Sequence, residues 1–362
     1  MIGWMWLACD DKPTGPNDSG DVADTDTDTD ADADADADTD TDADTDADAD
    51  SDADADVASM YAVGRFADDG RASWSLTSHY WTVDGDVLEI HVDGASGVWF
   101  EVVIDGVRSS PVVTAGGPQT FTLSGLGAGE HTIGWFRRNE GFFGDVAITG
   151  TTGALVDRPR PYSRVIEFVG DSITAGYGDE GPDQYCSFSG ETENAYLGYA
   201  AIAARDLDAA AVLVAYSGKG VIQNYGGDTN EVMPELYGRA LTNDPSSTYP
   251  FDQYTPEVVV VNLGTNDFSV PVDEPAFVAG YVGLLGQIRA AYPAAAIVAV
   301  SWDGWPDVVA QAVAATADPL VSEVTFGYAA GDDWGCDWHP GLAMHERLGH
   351  ELSAEIATRM GW

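Results

Sequence analysis

Positive charge is what this sequence has least of. Its 362 residues include 15 Lys and Arg against 61 Asp and Glu, a formal net charge of −46 at pH 7. Only two of the basic residues are lysines, Lys12 and Lys219. A surface this negative repels a phosphate backbone, which argues against nucleic acid as a partner. Cysteine is scarce too, with Cys9, Cys186 and Cys336 alone. That number rules out a disulfide scaffold, although Cys186 and Cys336 are compatible with one bridge in an exported protein. No apolar run reaches the roughly 18 residues that a membrane-spanning helix needs. Neither His-Glu-x-x-His nor a comparable ligand cluster is present, so no metal and no other cofactor is expected.

The negative charge is unevenly spread. Residues 21–56 alternate Asp with Ala, Thr or Ser and contribute 18 Asp with no basic residue. Such a stretch cannot bury apolar surface and repels itself, so a disordered, extended spacer is expected. Asp at every second position resembles part of a calcium loop, but the Gly of the sharp turn and the closing carboxylate are both missing. Ahead of the spacer, residues 1–9 read MIGWMWLAC. The closing Leu-Ala-Cys resembles the end of a bacterial lipoprotein signal, without a basic n-region and with a short apolar run. Residues 1–20 are accordingly read as a truncated signal and tether, with Cys9 the candidate lipid anchor. The protein is expected to be exported, either secreted or held at the cell surface.

Beyond the spacer the rhythm changes twice. From 57 to 160, short alternating runs are separated by turn residues, as in Asp86–Val92 followed by Asp93-Gly94 and Trp99–Ile104 followed by Asp105-Gly106. Strands of this length and spacing predict a β-sandwich or jelly roll, with the Asp-Gly pairs as hairpin signals. From 161 to 362, apolar strands alternate with helices. Strands are expected at 164–169, 211–215, 258–263 and 296–300, and helices at 193–207, 275–292, 307–317 and 342–360. This alternation predicts a three-layer α/β/α domain with its site at the carboxyl ends of the strands.

Four short motifs fall at such strand ends. Gly170-Asp171-Ser172 follows the first strand, where a serine on a strand-to-helix turn exposes Oγ and can lend its own N–H to an oxyanion. Ser217-Gly218-Lys219-Gly220 follows the second, and either glycine N–H, Gly218 or Gly220, is a candidate donor. Gly264-Thr265-Asn266-Asp267 follows the third, with the Asn266 amide as a further donor. Asp337-Trp338-His339-Pro340 precedes the last helix, where the Asp337 carboxylate is placed to accept from His339 Nδ1–H and leave Nε2 as base for Ser172. That pairing should raise the His339 pKa. His345 and His350 fall within the final helix and are read as structural. Cys186 and Cys336 each lie near one of these motifs, so a bridge between them is expected.

Together these blocks resemble the SGNH, or GDSL, hydrolase superfamily. The run Gly170–Gly178, Glu191–Tyr196, Ser217–Gly220 and His339-Pro340 resembles carbohydrate esterase family 2 more narrowly, over about residues 60–362. The resemblance implies a jelly roll joined to an SGNH domain, and a serine esterase that deacetylates carbohydrate such as xylan. It implies Ser172 as nucleophile and His339 as base, with Ser172 N–H, a glycine N–H and Asn266 as oxyanion donors. It also implies an aromatic ring stacked on the sugar, for which Tyr225 and Trp305 are the candidates. Some members of that family work with a Ser-His pair; the presence of Asp337 favours a full triad here. The expected partner is an acetylated polysaccharide or oligosaccharide, and a monomer is expected. Two other readings stay open: a lipid or aryl esterase of the same superfamily, and a carbohydrate-binding protein with an inert α/β domain.

Overall fold

The computed structural model describes residues 57–362; the spacer 21–56 and Cys9 lie outside them. In the strand Val87–Gly94, Leu88, Ile90 and Val92 are buried while Glu89 and His91 are not. That two-residue period is what a strand with one face on a core requires. Such strands assemble into two antiparallel sheets. One orders Met60–Val63, Ser78–Asp84, Glu130–Arg137, Ser96–Ile104 and Val107–Arg108, with Val112–Ala115 also paired to Ser96–Ile104. The other orders Arg71–Ala72, Val146–Thr152, Val87–Gly94 and Gln119–Ser124. Val83, Leu88, Ile90, Val102 and Trp135 share the core between them, which makes a β-sandwich.

The two Asp-Gly pairs behave differently. Asp105 and Gly106 have φ of 51° and 77° between the paired Ile104 and Val107, the positive-φ turn that joins two strands tightly. Asp93-Gly94, expected to be a turn, instead lies inside a strand and pairs with Val146 and Ala147. Glycine is needed there for space: a Cβ on Gly94 would fall 2.3 Å from the Asp145 carbonyl oxygen.

From Arg164 onward the strands are parallel, in the order Ala209–Ala215, Arg164–Gly170, Val258–Asn262, Ala296–Trp302 and Val321–Phe326. The first and third of these are buried along their whole length, as sheets covered on both faces must be. Helices Glu274–Ala291, Val308–Thr316 and Leu342–Met360 fall within a residue of expectation. The fifth strand was not anticipated. The helix expected over 193–207 is shorter, at Tyr199–Asp206, because Glu193 and Asn194 are engaged elsewhere. The Asn194 amide, for example, donates to Glu101 of the sandwich at 3.0 Å. Among the described residues no helix is long and apolar enough to cross a membrane.

Buried polar contacts join sandwich to sheet. Arg65 donates to Glu167, inside the strand Arg164–Gly170, at 3.0 Å with both side chains fully buried. Trp74 Nε1 donates to the Arg239 carbonyl at 3.2 Å, and the Thr242 N–H donates to Ser73 Oγ at 2.8 Å. A buried ion pair needs good geometry to offset desolvation, so these contacts favour one relative placement of the two regions.

Candidate active site

In the parallel sheet, strand order reverses direction at Arg164–Gly170, with sequence-next neighbour Ala209–Ala215 on one side and Val258–Asn262 on the other. A crevice opens at such a switch point, beyond the carboxyl ends of the strands. Register aligns those ends, since Gly170 pairs with both Ala215 and Asn262. The three following loops, with Ser172, Ser217–Gly220 and Gly264–Asp267, therefore emerge side by side. Glycine is required at 170, where a Cβ would fall 2.0 Å from Thr174 Oγ1.

Ser172 opens a short helix, Ser172–Ala175, whose preceding residue Asp171 accepts from the Ile173 N–H at 3.1 Å. The first N–H of a helix has no partner within it, which leaves the Ser172 N–H for another acceptor. Ser172 Oγ lies 2.9 Å from His339 Nε2, although 167 residues separate them in sequence. This is hydrogen-bond reach for nucleophile and base.

The orienting group differs from the expected one. His339 Nδ1 lies 3.1 Å from the Asp337 main-chain carbonyl oxygen, not from its carboxylate. Asp337 and Trp338 have φ of 53° and 62°, and this left-handed pair turns the carbonyl toward the imidazole. The Asp337 carboxylate points elsewhere, accepting from Tyr177 Oη at 3.2 Å and the Phe188 N–H at 3.1 Å. Tyr177 in turn stacks on Phe188 at 3.8 Å and lies 4.3 Å from the His339 ring. The carboxylate thus fixes the wall behind the histidine. The expected rise in the His339 pKa is also overturned: burial pushes it down to about 4, outweighing the upward pull of Asp337. The ring is neutral, as a base must be, over most of the pH range.

Cys186 and Cys336 form a disulfide, with Cα atoms 4.7 Å apart. Backbone bonds beside it, Cys336 N–H to Gly178 O at 2.9 Å and Asp337 N–H to Cys186 O at 3.1 Å, fasten the histidine loop to the segment after Ser172.

The two candidate glycines separate. The Gly220 N–H donates to Asn224 Oδ1 at 3.2 Å and is therefore engaged. Gly218, with φ of 78°, has open space around its Cα, and its carbonyl accepts from the Tyr225 N–H at 2.9 Å. Asn266 is buried and its amide nitrogen reaches two acceptors, Lys219 O at 2.8 Å and Asp171 Oδ2 at 3.2 Å. The amide ties the glycine loop to the serine turn. Asp267 holds the same loop by accepting from the N–H groups of Val221, Ile222 and Gln223. Tyr225 follows that loop, and Trp305 lies across Gly264, where a Cβ would fall 2.8 Å from its ring. His345 is fully buried, its Nδ1 accepting from the Tyr199 N–H at 3.1 Å, and exposed His350 bonds Asp206. Sequence reasoning missed Tyr177, which sits within the Gly170–Gly178 run and lies against the His339 ring.

A serine and a histidine in hydrogen-bond contact at the switch point of a 2-1-3-4-5 parallel sheet is the arrangement of the GDSL class. The model of the GDSL-like lipase/acylhydrolase family matches residues 168–347, and that of the carbohydrate esterase 2 N-terminal domain matches residues 62–159. The chain belongs to carbohydrate esterase family 2. It is 34% identical over 309 residues to the cellulase/esterase CelE of Acetivibrio thermocellus, a match over 81% of this chain. The chain spans only 38% of that relative's length. An acetylxylan esterase / glucomannan deacetylase of Cellvibrio japonicus is 26% identical over 320 residues, covering 80% of this chain and 86% of the relative. A family two carbohydrate esterase from Clostridium thermocellum, solved in complex with cellohexaose, superposes with a TM-score of 0.79 at 34% identity. That match covers 84% of this chain and 99% of the other.

Proposed function

We propose that the protein removes O-acetyl groups from carbohydrate by two-step acyl transfer at Ser172. The observation that carries this reading is the 2.9 Å contact between Ser172 Oγ and His339 Nε2 at the switch point. In the first step Oγ attacks the acetyl carbonyl while His339 Nε2 takes its proton. The tetrahedral oxyanion is met by the Ser172 and Gly218 N–H groups and the Asn266 amide, and the proton then passes to the leaving sugar hydroxyl. In the second step water, deprotonated by the same Nε2, attacks the acetyl-serine and releases acetate. The Asp337 carbonyl holds the imidazole with Nδ1–H engaged, so the site works as a Ser-His pair oriented by main chain.

The substrate class is supported by the relatives, one named for acetylxylan and glucomannan and one bound to cellohexaose. Tyr225 and Trp305 supply aromatic faces on which a sugar ring can stack. A lipid esterase would call for an apolar cover, whereas the loop after Tyr225 is exposed and polar at Asp228, Thr229 and Asn230. Export, with a lipid anchor at Cys9 and an Asp-rich tether, completes the proposal and suits a polysaccharide substrate outside the cell. The test is acetate release from acetylated xylan, acetylated glucomannan and a long-chain p-nitrophenyl ester. Release from a glycan with little turnover of the long chain is expected. Preference for the long-chain ester would overturn the carbohydrate assignment.

A further inference from the structure

Where the sandwich meets the loop that carries Gly218, it places a buried carboxylate against it. Glu140 follows the strand Glu130–Arg137 and is fully buried. Both of its oxygens are taken by one residue of the other region: Oε2 accepts from the Ser217 N–H and Oε1 from the Ser217 hydroxyl. Ser217 directly precedes Gly218. The same loop is held from the opposite side by Asn266, through Lys219 O at 2.8 Å. The segment from Ser217 to Lys219, with Gly218 between, is thus held at both ends, at Ser217 by the sandwich and at the Lys219 carbonyl by the catalytic sheet.

Glu140 is itself immobilised. The Arg137 guanidinium donates to the carbonyls of Glu140 at 2.7 Å and Asn139 at 2.8 Å, and the Glu140 N–H donates to Glu193 Oε2 at 3.3 Å. The next residue leaves no slack. A Cβ on Gly141 would fall 1.9 Å from Thr242 Oγ1, and the Gly141 carbonyl accepts from Asn243 Nδ2 at 2.6 Å. Phe142 then packs against Tyr216 and Phe188 with ring centroids 5.9 and 6.0 Å away. Burying a carboxyl group is costly, and Arg137 spends its donors on backbone carbonyls. Burial pushes the Glu140 carboxyl above the usual carboxylate range. A carboxyl group retained against that cost beside the Glu193 carboxyl, with both of its oxygens accepting from the residue before a proposed oxyanion donor, has more than a packing role.

We propose that Glu140 is a positioning residue for the esterase reaction, lent by the sandwich to fix the Ser217–Gly218 peptide and so hold the Gly218 N–H for the oxyanion. This rests on the acyl-transfer reading of the site, because only there does Gly218 meet developing charge. Removing an oxyanion donor costs about a hundredfold to a thousandfold in kcat. A donor that is loosened rather than lost should cost less, roughly tenfold to a hundredfold.

The test is steady-state hydrolysis of a soluble acetyl ester by wild type, Glu140→Ala, Glu140→Gln, Ser217→Ala, the Glu140→Ala/Ser217→Ala double variant and Ser172→Ala. Glutamine can accept from the Ser217 N–H through its oxygen and donate to the Ser217 hydroxyl through its nitrogen. Glu140→Ala should therefore lower kcat with KM within about twofold, while Glu140→Gln regains most of the loss. In the Ser217→Ala background, Glu140→Ala should cost less than in wild type, the sign of one shared contact. Wild-type kcat in Glu140→Ala would overturn the proposal. So would Glu140→Gln falling as far as Glu140→Ala, since a role in holding the loop is what glutamine can replace. Substantial activity left in Ser172→Ala would instead overturn the reading on which the proposal rests.

Discussion

The sandwich and the parallel sheet are built from similar apolar strands, yet only the sheet carries the Ser172–His339 pair. The difference lies in where their loops go. In the antiparallel sandwich, successive hairpin turns fall at opposite ends, and turns such as Asp105-Gly106 are tight and isolated. In the parallel sheet every strand ends on the same edge, so the loops after Gly170, Ala215 and Asn262 converge. Four weak motifs, scattered across 170 residues of sequence, become one crevice by that geometry. The sandwich meets the loop of Ser217 through Glu140, whose carboxylate accepts from the Ser217 N–H and hydroxyl.

The sharpest way to break this comparison is to remove the groups that only the sheet region supplies. Ser172→Ala and His339→Ala should each lower kcat by at least about ten-thousand-fold, because nucleophile and base act as a unit. His345→Ala should leave turnover measurable, since its nitrogen serves the Tyr199 backbone rather than substrate. Hydrolysis of an acetyl ester by the purified variants decides both. A nearly active His339→Ala would mean that the convergence of loops has been assigned the wrong base.

A second effect falls on stability. The Cys186–Cys336 bridge closes a separation of 150 residues within the sheet region, and loop closure of that size is worth about 5 kcal/mol. Reduction should lower the melting temperature by several degrees and reduce activity, because the bridge ties the histidine loop to the segment after Ser172. Thermal denaturation with and without reductant measures it. An unchanged melting temperature would show that backbone contacts alone hold the loop.

The pH response is milder. A base must be neutral to accept the serine proton, and burial lowers the His339 pKa to about 4. On the acid side of that value kcat/KM should fall about tenfold per pH unit, and above it the profile should be flat toward neutrality. Profiles of kcat/KM on one acetyl ester check this. A midpoint near the ordinary histidine value of about 6.5 would show that solvent reaches the ring more freely than the structure indicates.

Much of this was legible in the sequence, for identifiable reasons. The continuous apolar runs around Val212 and Val260 betray strands covered on both faces, and the turn residues that follow mark the strand ends. Ser172, Asn266 and His339 could be picked out because each sits in a short run whose residue types are tied to a strand end. What sequence could not supply was direction. Asp337 two residues before a histidine looks like a carboxylate partner, but two left-handed residues turn its carbonyl, not its carboxylate, toward the ring. Gly218 and Gly220 are equivalent on paper, and only the Asn224 side chain separates them. Asp93-Gly94 has the composition of a turn, yet pairing with Ala147 and Val146 makes it the end of a strand. Glu140 had no signal, because its partner is 77 residues away in another region.

The central claim is that a main-chain carbonyl, rather than a carboxylate, orients the base. Asp337→Asn tests it most directly, since asparagine leaves the carbonyl in place and can still accept from the Phe188 N–H or Tyr177 through its amide oxygen. Measured as kcat on an acetyl ester, the variant should keep activity within about tenfold of wild type. In a full triad the same change costs about ten-thousand-fold, and a loss of that size would contradict the account.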